Sequence, residues 1–241
     1  MPTRRDKVTA HAEHVLDVYL RVRSTYAMLD PLLFNKEVVQ RWNKGHGARG
    51  RQILQNSLFY SCVLDVAKLT FDQDRRTPSI IQLVAALDDK ELLRELREGF
   101  AIWSDGVLGE HDPEILKLLE ASERAEEEGR RGQFDTLVEE LKRKWEELET
   151  SNTLKAFITV RDKFIAHHEL WHDGGQYRAL DIAKLDIKFG DVKAMIREVQ
   201  SLVDLITLIF RNTSFAFDIL DASLQETSVA FWNAPVMANT R

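Results

Sequence analysis

Apolar residues recur every three or four positions along nearly the whole chain, which is the spacing of amphipathic α-helices. In one such segment, apolar residues at positions 54, 58, 62, 66 and 69 fall on a single helical face. Strict alternation of apolar and polar residues, the pattern of a half-buried strand, is not found over a useful length. We predict helices over about 6–30, 34–44, 49–72, 77–87, 88–105, 111–132, 133–171 and 190–210, and helical structure again after 212.

Several helix ends are predicted from local signals. Pro31 should stop the first helix, and Thr77 should cap the helix that has Pro78 at its first position. Gly132 should end the helix before the segment 133–171, which is one helix or two that meet near Ser151-Asn152. Gly106 should end the helix 88–105, and Asp191 should be the N-cap of the helix 190–210. We interpret the charged stretch 120–149 as a solvated surface hairpin.

The sum of these elements predicts an all-α fold: a bundle with long antiparallel helices. We expect a single domain over 1–241, with 107–150 as a charged helical insertion and 213–241 as a C-terminal extension. A chain of 241 residues can bury a sizeable core without disulfide bonds.

The amino-acid composition indicates the class of protein and its expected location. The chain is 44% hydrophobic and 30% charged, with 11 Gly and 5 Pro, which is typical of a globular helical protein. Its single cysteine, Cys62, lies in an apolar segment and has no internal partner, so we expect a core residue and a cytoplasmic location. The most apolar run, 201–220, contains Asp204, Arg211 and Asp218, which indicates a buried helix and no membrane span.

The net charge of −6 argues against a general nucleic-acid-binding protein, because long-range attraction to phosphates is missing. A local basic site that handles one phosphodiester remains compatible with this charge.

Two overlapping signatures lie within "TVRDKFIAHHELWHDGG", residues 159–175. The first, His168-Glu169-Leu170-Trp171-His172, matches the H-E-x-x-H pattern of zinc hydrolases, in which two histidines one helical turn apart bind one ion. That geometry needs an intact helix through His172, but Asp173 and two glycines follow directly and indicate a helix end. We therefore rank the zinc site last and expect neither a metal nor another cofactor.

The second signature is Arg161 followed by a histidine. On a helix of 100° per residue, Arg161 lies in the middle of an apolar face, where an unpaired guanidinium is costly. It needs either a carboxylate partner or an anion bound in a groove. The projection puts His168 about 20° from Arg161 and His167 about 120° away, which favours His168 as its partner.

The stretch "RDKFIAHH" resembles the R-x4-6-H motif of the HEPN superfamily (higher eukaryote and prokaryote nucleotide-binding domains). Arg161 and His167 match its named pair, with Asp162 after the arginine and Ala166 before the histidine. Residues 51–84 and 185–203 are similar to the abortive-infection, AbiU-type branch of that superfamily. The resemblance covers roughly residues 10 to 212, and the choice between His167 and His168 stays open.

The resemblance implies an all-α, metal-independent endoribonuclease acting as a homodimer, with two motif-bearing helices facing each other. The catalytic residues would be Arg161, His167, Asp162 and His168, and the products a 2′,3′-cyclic phosphate and a 5′-hydroxyl. It also implies an RNA substrate, a role as toxin or phage-defence effector, and an antitoxin or defence partner. Regulation by modification of a tyrosine two residues after the histidine is not expected, since Glu169 stands there.

Two alternatives remain. In one, the protein is a non-catalytic HEPN-like module that binds a nucleotide or a partner protein, and Arg161 is a structural residue held by an ion pair. In the other, it is a zinc hydrolase that uses His168, Glu169 and His172.

Overall fold

The fold of the protein is all-α. A computed structural model describes residues 3–72, 74, 76–102, 113–166, 170–173, 176–179 and 185–234. In these ranges the α-helices are α1 (Arg4–Phe34), α2 (Lys36–Arg41), α3 (Gly45–Phe71), α4 (Ile80–Ala86), α5 (Lys90–Ala101), α6 (Pro113–Thr150), α7 (Asn152–Val160), α8 (Phe189–Arg211) and α9 (Phe217–Asn233). A π-helical turn (Arg161–Ala166) follows α7, and two short strands, β1 (Leu170–Asp173) and β2 (Gln176–Ala179), pair antiparallel.

The chain folds as two compact units, each assembled from separate segments. The first comprises Met1–Leu16, Asp72–Glu149 and Ser201–Ser214, and the second comprises Asp17–Phe71, Thr150–Gln200 and Phe215–Arg241. In the first unit, the buried rings of Phe100 on α5 and Phe134 on α6 lie 5.6 Å apart. In the second, the hydroxyl of the fully buried Tyr19 donates to the carbonyl of Ile196 at 3.0 Å.

Pro31 does not stop α1 as predicted, because the helix continues to Phe34. A proline lacks the N–H that would bond the carbonyl four residues earlier, here that of Ala27. The buried hydroxyl of Ser228 on α9 donates to that carbonyl at 2.6 Å. A tertiary hydrogen bond thus replaces the missing helical one.

The predicted surface hairpin and the stop at Gly132 are wrong, since α6 is one helix of 38 residues. Gly129 and Gly132 lie inside it with helical backbone and open space around them. Charged pairs one turn apart, such as Arg131 with Glu127, lie along the same stretch. Such pairs support a solvated helix and offset part of the cost of glycine.

Other ends shift by a few residues. Ser79 precedes α4 in place of Thr77, and α5 ends at Ala101. Gly106, its predicted end, lies outside the described residues. Asp191 lies in the first turn of α8 and accepts a hydrogen bond from the Lys188 amide at 2.8 Å. Within the described residues, no helix is both long and apolar enough to cross a membrane.

The segment 133–171 contains two helices that meet near Ser151-Asn152, which is one of the two predicted alternatives. α6 ends at Thr150, and α7 begins after Ser151, whose hydroxyl accepts a hydrogen bond from the Leu154 amide at 3.2 Å. α7 packs against α3 and buries Leu154, Phe157 and Val160 completely. Burial of such side chains contributes roughly 1.5–3 kcal/mol each, so this contact fixes where Arg161 emerges from α7.

Candidate functional site

The candidate site begins where α7 ends. From Arg161 to Ala166 the backbone widens into a π-helical turn, a rare conformation that is frequent at functional sites. The amide of Arg161 still bonds back to Phe157 and Ile158. A projection at 100° per residue therefore does not hold beyond Arg161, and the angles calculated for the two histidines lose their basis.

The guanidinium of Arg161 is held by groups of its own chain. Its Nη1 donates to the carbonyls of Ala67 at 3.2 Å and Phe71 at 2.9 Å. Its Nε donates to Oδ1 of Asp162 at 2.6 Å. The side chain is 15% exposed, against 45% for Asp162. The arginine predicted on an apolar face is thus satisfied by two carbonyls and one carboxylate.

Phe71 is the last residue of α3 and Ala67 lies one turn earlier, at the end of the helix where its dipole places partial negative charge and where the Phe71 carbonyl lacks a helical partner. A cation suits this position, so Arg161 acts as a C-cap for α3. The sequence could not show this contact, because Ala67 and Phe71 lie about 90 residues before Arg161.

The structure does not test the pairing of arginine with histidine. His167 and His168, the two candidate partners of Arg161, lie outside the described residues. Asp162 contacts Arg161 and orients its guanidinium, while the catalytic roles of all four residues stay predictions.

The zinc alternative is in conflict with the backbone. His172 lies on β1, paired with Tyr177 on β2, whereas the H-E-x-x-H geometry requires both histidines on one helix. The predicted extension of the helix to Trp171 is also wrong, because Leu170 and Trp171 lie on β1. The sequence did contain a hairpin signal, since Asp173 and two glycines separate the aromatic residues Trp171 and Tyr177.

Cys62 lies in the core, as predicted, with no exposed surface. Burial raises the pKa of its thiol to about 12, so the thiol stays protonated at neutral pH. It offers neither a nucleophile nor a metal ligand.

A second feature was missed by the sequence reasoning. Between α2 and the first turns of α3 the chain reads "KEVVQRWNKGHGARGR", residues 36–51, with five Lys or Arg and one acid. The predicted helices 34–44 and 49–72 cover most of this stretch, with the break between them at its glycines, and its charge was not considered. Counting charge segment by segment would have found this basic stretch within an acidic protein.

The all-α architecture and the Arg–His motif at the end of a buried helix define the class: a HEPN-type domain. A family model described as HEPN_AbiU2 (AbiU2) matches residues 5–231. The chain therefore belongs to the AbiU2 family, and it is a HEPN-type domain of the abortive-infection class. The match extends past both ends of the predicted stretch 10–212. Comparisons with curated proteins and with solved structures returned no match.

Proposed function

We propose that the protein is a metal-independent endoribonuclease of the HEPN type, acting in phage defence as a toxin-like effector. Membership of the AbiU2 family carries this proposal. It is supported by Arg161, which begins a π-helical turn and precedes His167 and His168 in the sequence. Two carbonyls and Asp162 restrain the guanidinium, which lowers the entropy lost when it binds a phosphate.

The reaction needs two proton transfers and one stabilised anion. A neutral histidine takes the proton of the 2′-hydroxyl, whose oxygen attacks phosphorus and forms the cyclic phosphate. The bond from phosphorus to the 5′-oxygen breaks, and a protonated histidine gives that oxygen its proton. Arg161 faces the charge that builds up on the phosphorane oxygens, a task for a fixed planar cation.

The proposed histidine is His167, with His168 as the alternative. A single histidine per chain supplies only one of the two proton carriers. We therefore propose a homodimer in which the second chain supplies the other histidine and a second Arg161.

The observation that favours a non-catalytic module is the bonding of Arg161 to the end of α3. An arginine that caps a helix is retained for stability whether or not the chain is an enzyme. The test must therefore separate loss of catalysis from loss of fold.

The experiment compares RNA cleavage in EDTA by the wild type, His167→Ala, His168→Ala and Arg161→Lys. His14→Ala, which changes an exposed histidine on α1, is the matched control for preparation and contaminating nucleases. We expect one of the two motif histidine variants to lose roughly a hundredfold or more in rate, the usual size of a general acid–base contribution. Its midpoint of thermal unfolding should stay that of the wild type.

Mass spectrometry of the wild-type products should show 2′,3′-cyclic phosphate ends. Wild-type protein that does not cleave RNA would contradict the ribonuclease and support the non-catalytic module. Cleavage by both histidine variants at the wild-type rate would show that neither histidine is catalytic. Cleavage that stops in EDTA and returns with zinc would contradict the proposed chemistry.

A further inference from the structure

Part of the second unit carries positive charge that nothing in the described chain neutralises. Lys36, Arg41, Lys44, Arg49 and Arg51 lie at α2 and the start of α3, with Glu37 as the acid among them. None of the five makes an ion pair within the described ranges, and Arg41 and Arg51 bond only to neutral oxygens there. By contrast, Arg21, Arg97 and Arg131 each bind a carboxylate. We call these five residues the basic patch.

An apolar cavity lies next to the basic patch. It differs in its lining from a cavity of about 580 Å³ elsewhere in the protein, which is lined by both arginines and acidic residues. The cavity next to the basic patch measures about 350 Å³, and the indoles of Trp42 and Trp232 contribute to an apolar lining. Gly47 and Gly50 of α3 line it as well. Its size and aromatic lining suit a flat ring, which stacks on indole faces.

Two nitrogen atoms beside this cavity lack acceptors. Nε1 of Trp42 and Nε of Arg51 are buried, and neither has a hydrogen-bond partner in the described structure. Both residues line the cavity. Neither nitrogen is exposed to the cavity, so Trp42 and Arg51 must shift slightly before an acceptor on an occupant reaches them. Buried donors are nearly always paired in native proteins, which favours an occupant that carries hydrogen-bond acceptors. A nucleobase combines a flat ring with such acceptors.

The charge around the cavity suits the rest of a nucleotide. α3 begins at Gly45 and has no acidic residue in its first turn, so its N-terminal amides add to the positive potential. Lys44 and Arg49 are exposed and lie in the sequence between residues that line the cavity, so we assign them to the phosphates that flank a bound base. An acidic peptide would match the charge, but it would leave the aromatic cavity unexplained.

From these observations we propose that the basic patch and its cavity bind single-stranded RNA, with one base in the cavity and the flanking phosphates on the patch. The inference rests on the proposed function, because it supplies the docking surface that an acidic ribonuclease needs. The patch lies at the start of α3 and Arg161 at its end. Twenty residues of helix separate Arg51 from Phe71, or about 30 Å.

This spacing makes the patch a site for longer substrates. At about 3.4 Å per stacked nucleotide, 30 Å corresponds to roughly nine nucleotides. RNAs much shorter than that cannot reach both sites, so their cleavage should not depend on the patch.

The test measures binding of a fluorescent 2′-O-methyl RNA of about 20 nucleotides, which lacks the attacking hydroxyl and stays intact. One variant, Lys44→Glu/Arg49→Glu, reverses two charges, and Lys90→Glu/Lys117→Glu makes the same change on exposed lysines elsewhere. A second variant, Gly50→Leu, adds a side chain at a glycine in the middle of the α3 residues that line the cavity. A Cβ at Gly50 meets nothing within 4 Å, and leucine favours the helix. Gly129→Leu, at an equally open position in α6, is its control.

We expect the charge variant and Gly50→Leu each to bind about tenfold more weakly or worse, while both controls bind as the wild type. In the charge variant, the slope of log K against log salt should become shallower by about 1.4, which is two phosphate contacts at about 0.7 each. Unchanged binding by both variants would overturn the assignment.

Two further arms identify the occupant. Adenosine monophosphate should compete only weakly with the oligonucleotide, and poly-glutamate should not displace it more effectively than unlabelled RNA does. If the mononucleotide binds as tightly as the strand, or if poly-glutamate binds and RNA does not, the inference is wrong. If the wild type binds RNA but does not cleave an unmodified strand, the proposed ribonuclease is refuted and the RNA-binding role of the basic patch stands.

Discussion

At the scale of single residues, Arg161 has two tasks that compete in any mutational study. It caps α3 through the carbonyls of Ala67 and Phe71, and it is the proposed phosphate ligand. Asp162 accepts a hydrogen bond from Nε of Arg161, and the guanidinium stays positively charged. A loss of activity in Arg161→Ala would therefore not separate folding from chemistry.

The structural task can be measured by itself. Arg161→Met keeps the unbranched apolar part of the side chain and removes its donors, so the Ala67 and Phe71 carbonyls lose a charged partner. We expect the free energy of unfolding to fall by about 1–3 kcal/mol in urea titrations. Arg76→Met is the control, because the Arg76 side chain is 89% exposed and pairs with Asp74 nearby, and its change should stay within about 0.5 kcal/mol. Equal changes in both variants would show that Arg161 does not cap α3.

At the scale of elements, α1 shows how a helix tolerates an internal proline. The Ala27 carbonyl, which would otherwise be left without a donor, bonds to Ser228, and the indole of Trp232 donates to the next carbonyl, that of Met28, at 3.0 Å. Ser228 thus replaces the bond that Pro31 removes, and Trp232 adds a second contact to the neighbouring carbonyl. The helix is continuous because of a contact from about 200 residues away.

A double-mutant cycle tests this account. Ser228→Ala should lower the free energy of unfolding by about 1–3 kcal/mol, because it leaves a buried carbonyl unpaired. In a Pro31→Ala background the new amide can bond Ala27, so the same change should cost clearly less. Urea unfolding of the four proteins gives the coupling energy. Additive effects would show that the Ser228 hydroxyl does not substitute for the missing amide.

The π-helical turn and the hairpin β1–β2 show the limits of periodicity. The apolar spacing that predicts α7 continues in the sequence past Arg161, through Phe164, Ile165 and Trp171. The backbone widens at Arg161 and becomes extended by Leu170. Tertiary context at the end of α3, and pairing of β1 with β2, prevail there over helical periodicity.

At the scale of the whole molecule, the proposed chemistry depends on two chains. If each chain supplies one histidine, mixed dimers of wild type and His167→Ala contain half of the proton carriers. Adding excess His167→Ala protein should therefore lower the activity of a fixed amount of wild type, whereas excess His14→Ala should not. Light scattering should give twice the chain mass of 27.8 kDa. A monomeric mass with full activity would contradict the shared site.

Net charge is the second property at this scale. The total of −6 argued against nucleic-acid binding, yet the segment 36–51 is strongly basic. An average over 241 residues conceals a local concentration of one sign, and an RNA strand meets the local potential first. Acidic residues elsewhere keep the protein from binding polyanions without selectivity, so the two features are compatible.

The sequence by itself determined the helical class, the burial of Cys62 and the family to which the chain belongs, and it offered the break between α6 and α7 as one of two alternatives. These follow from apolar spacing and from motifs that lie within a few residues of each other. Only the tertiary structure decided that α1 runs through Pro31, that Arg161 caps α3, and that Trp42 and Trp232 line one cavity. Each of these depends on atoms far apart in the chain, and local patterns carry no record of which distant carbonyl or ring a side chain will meet.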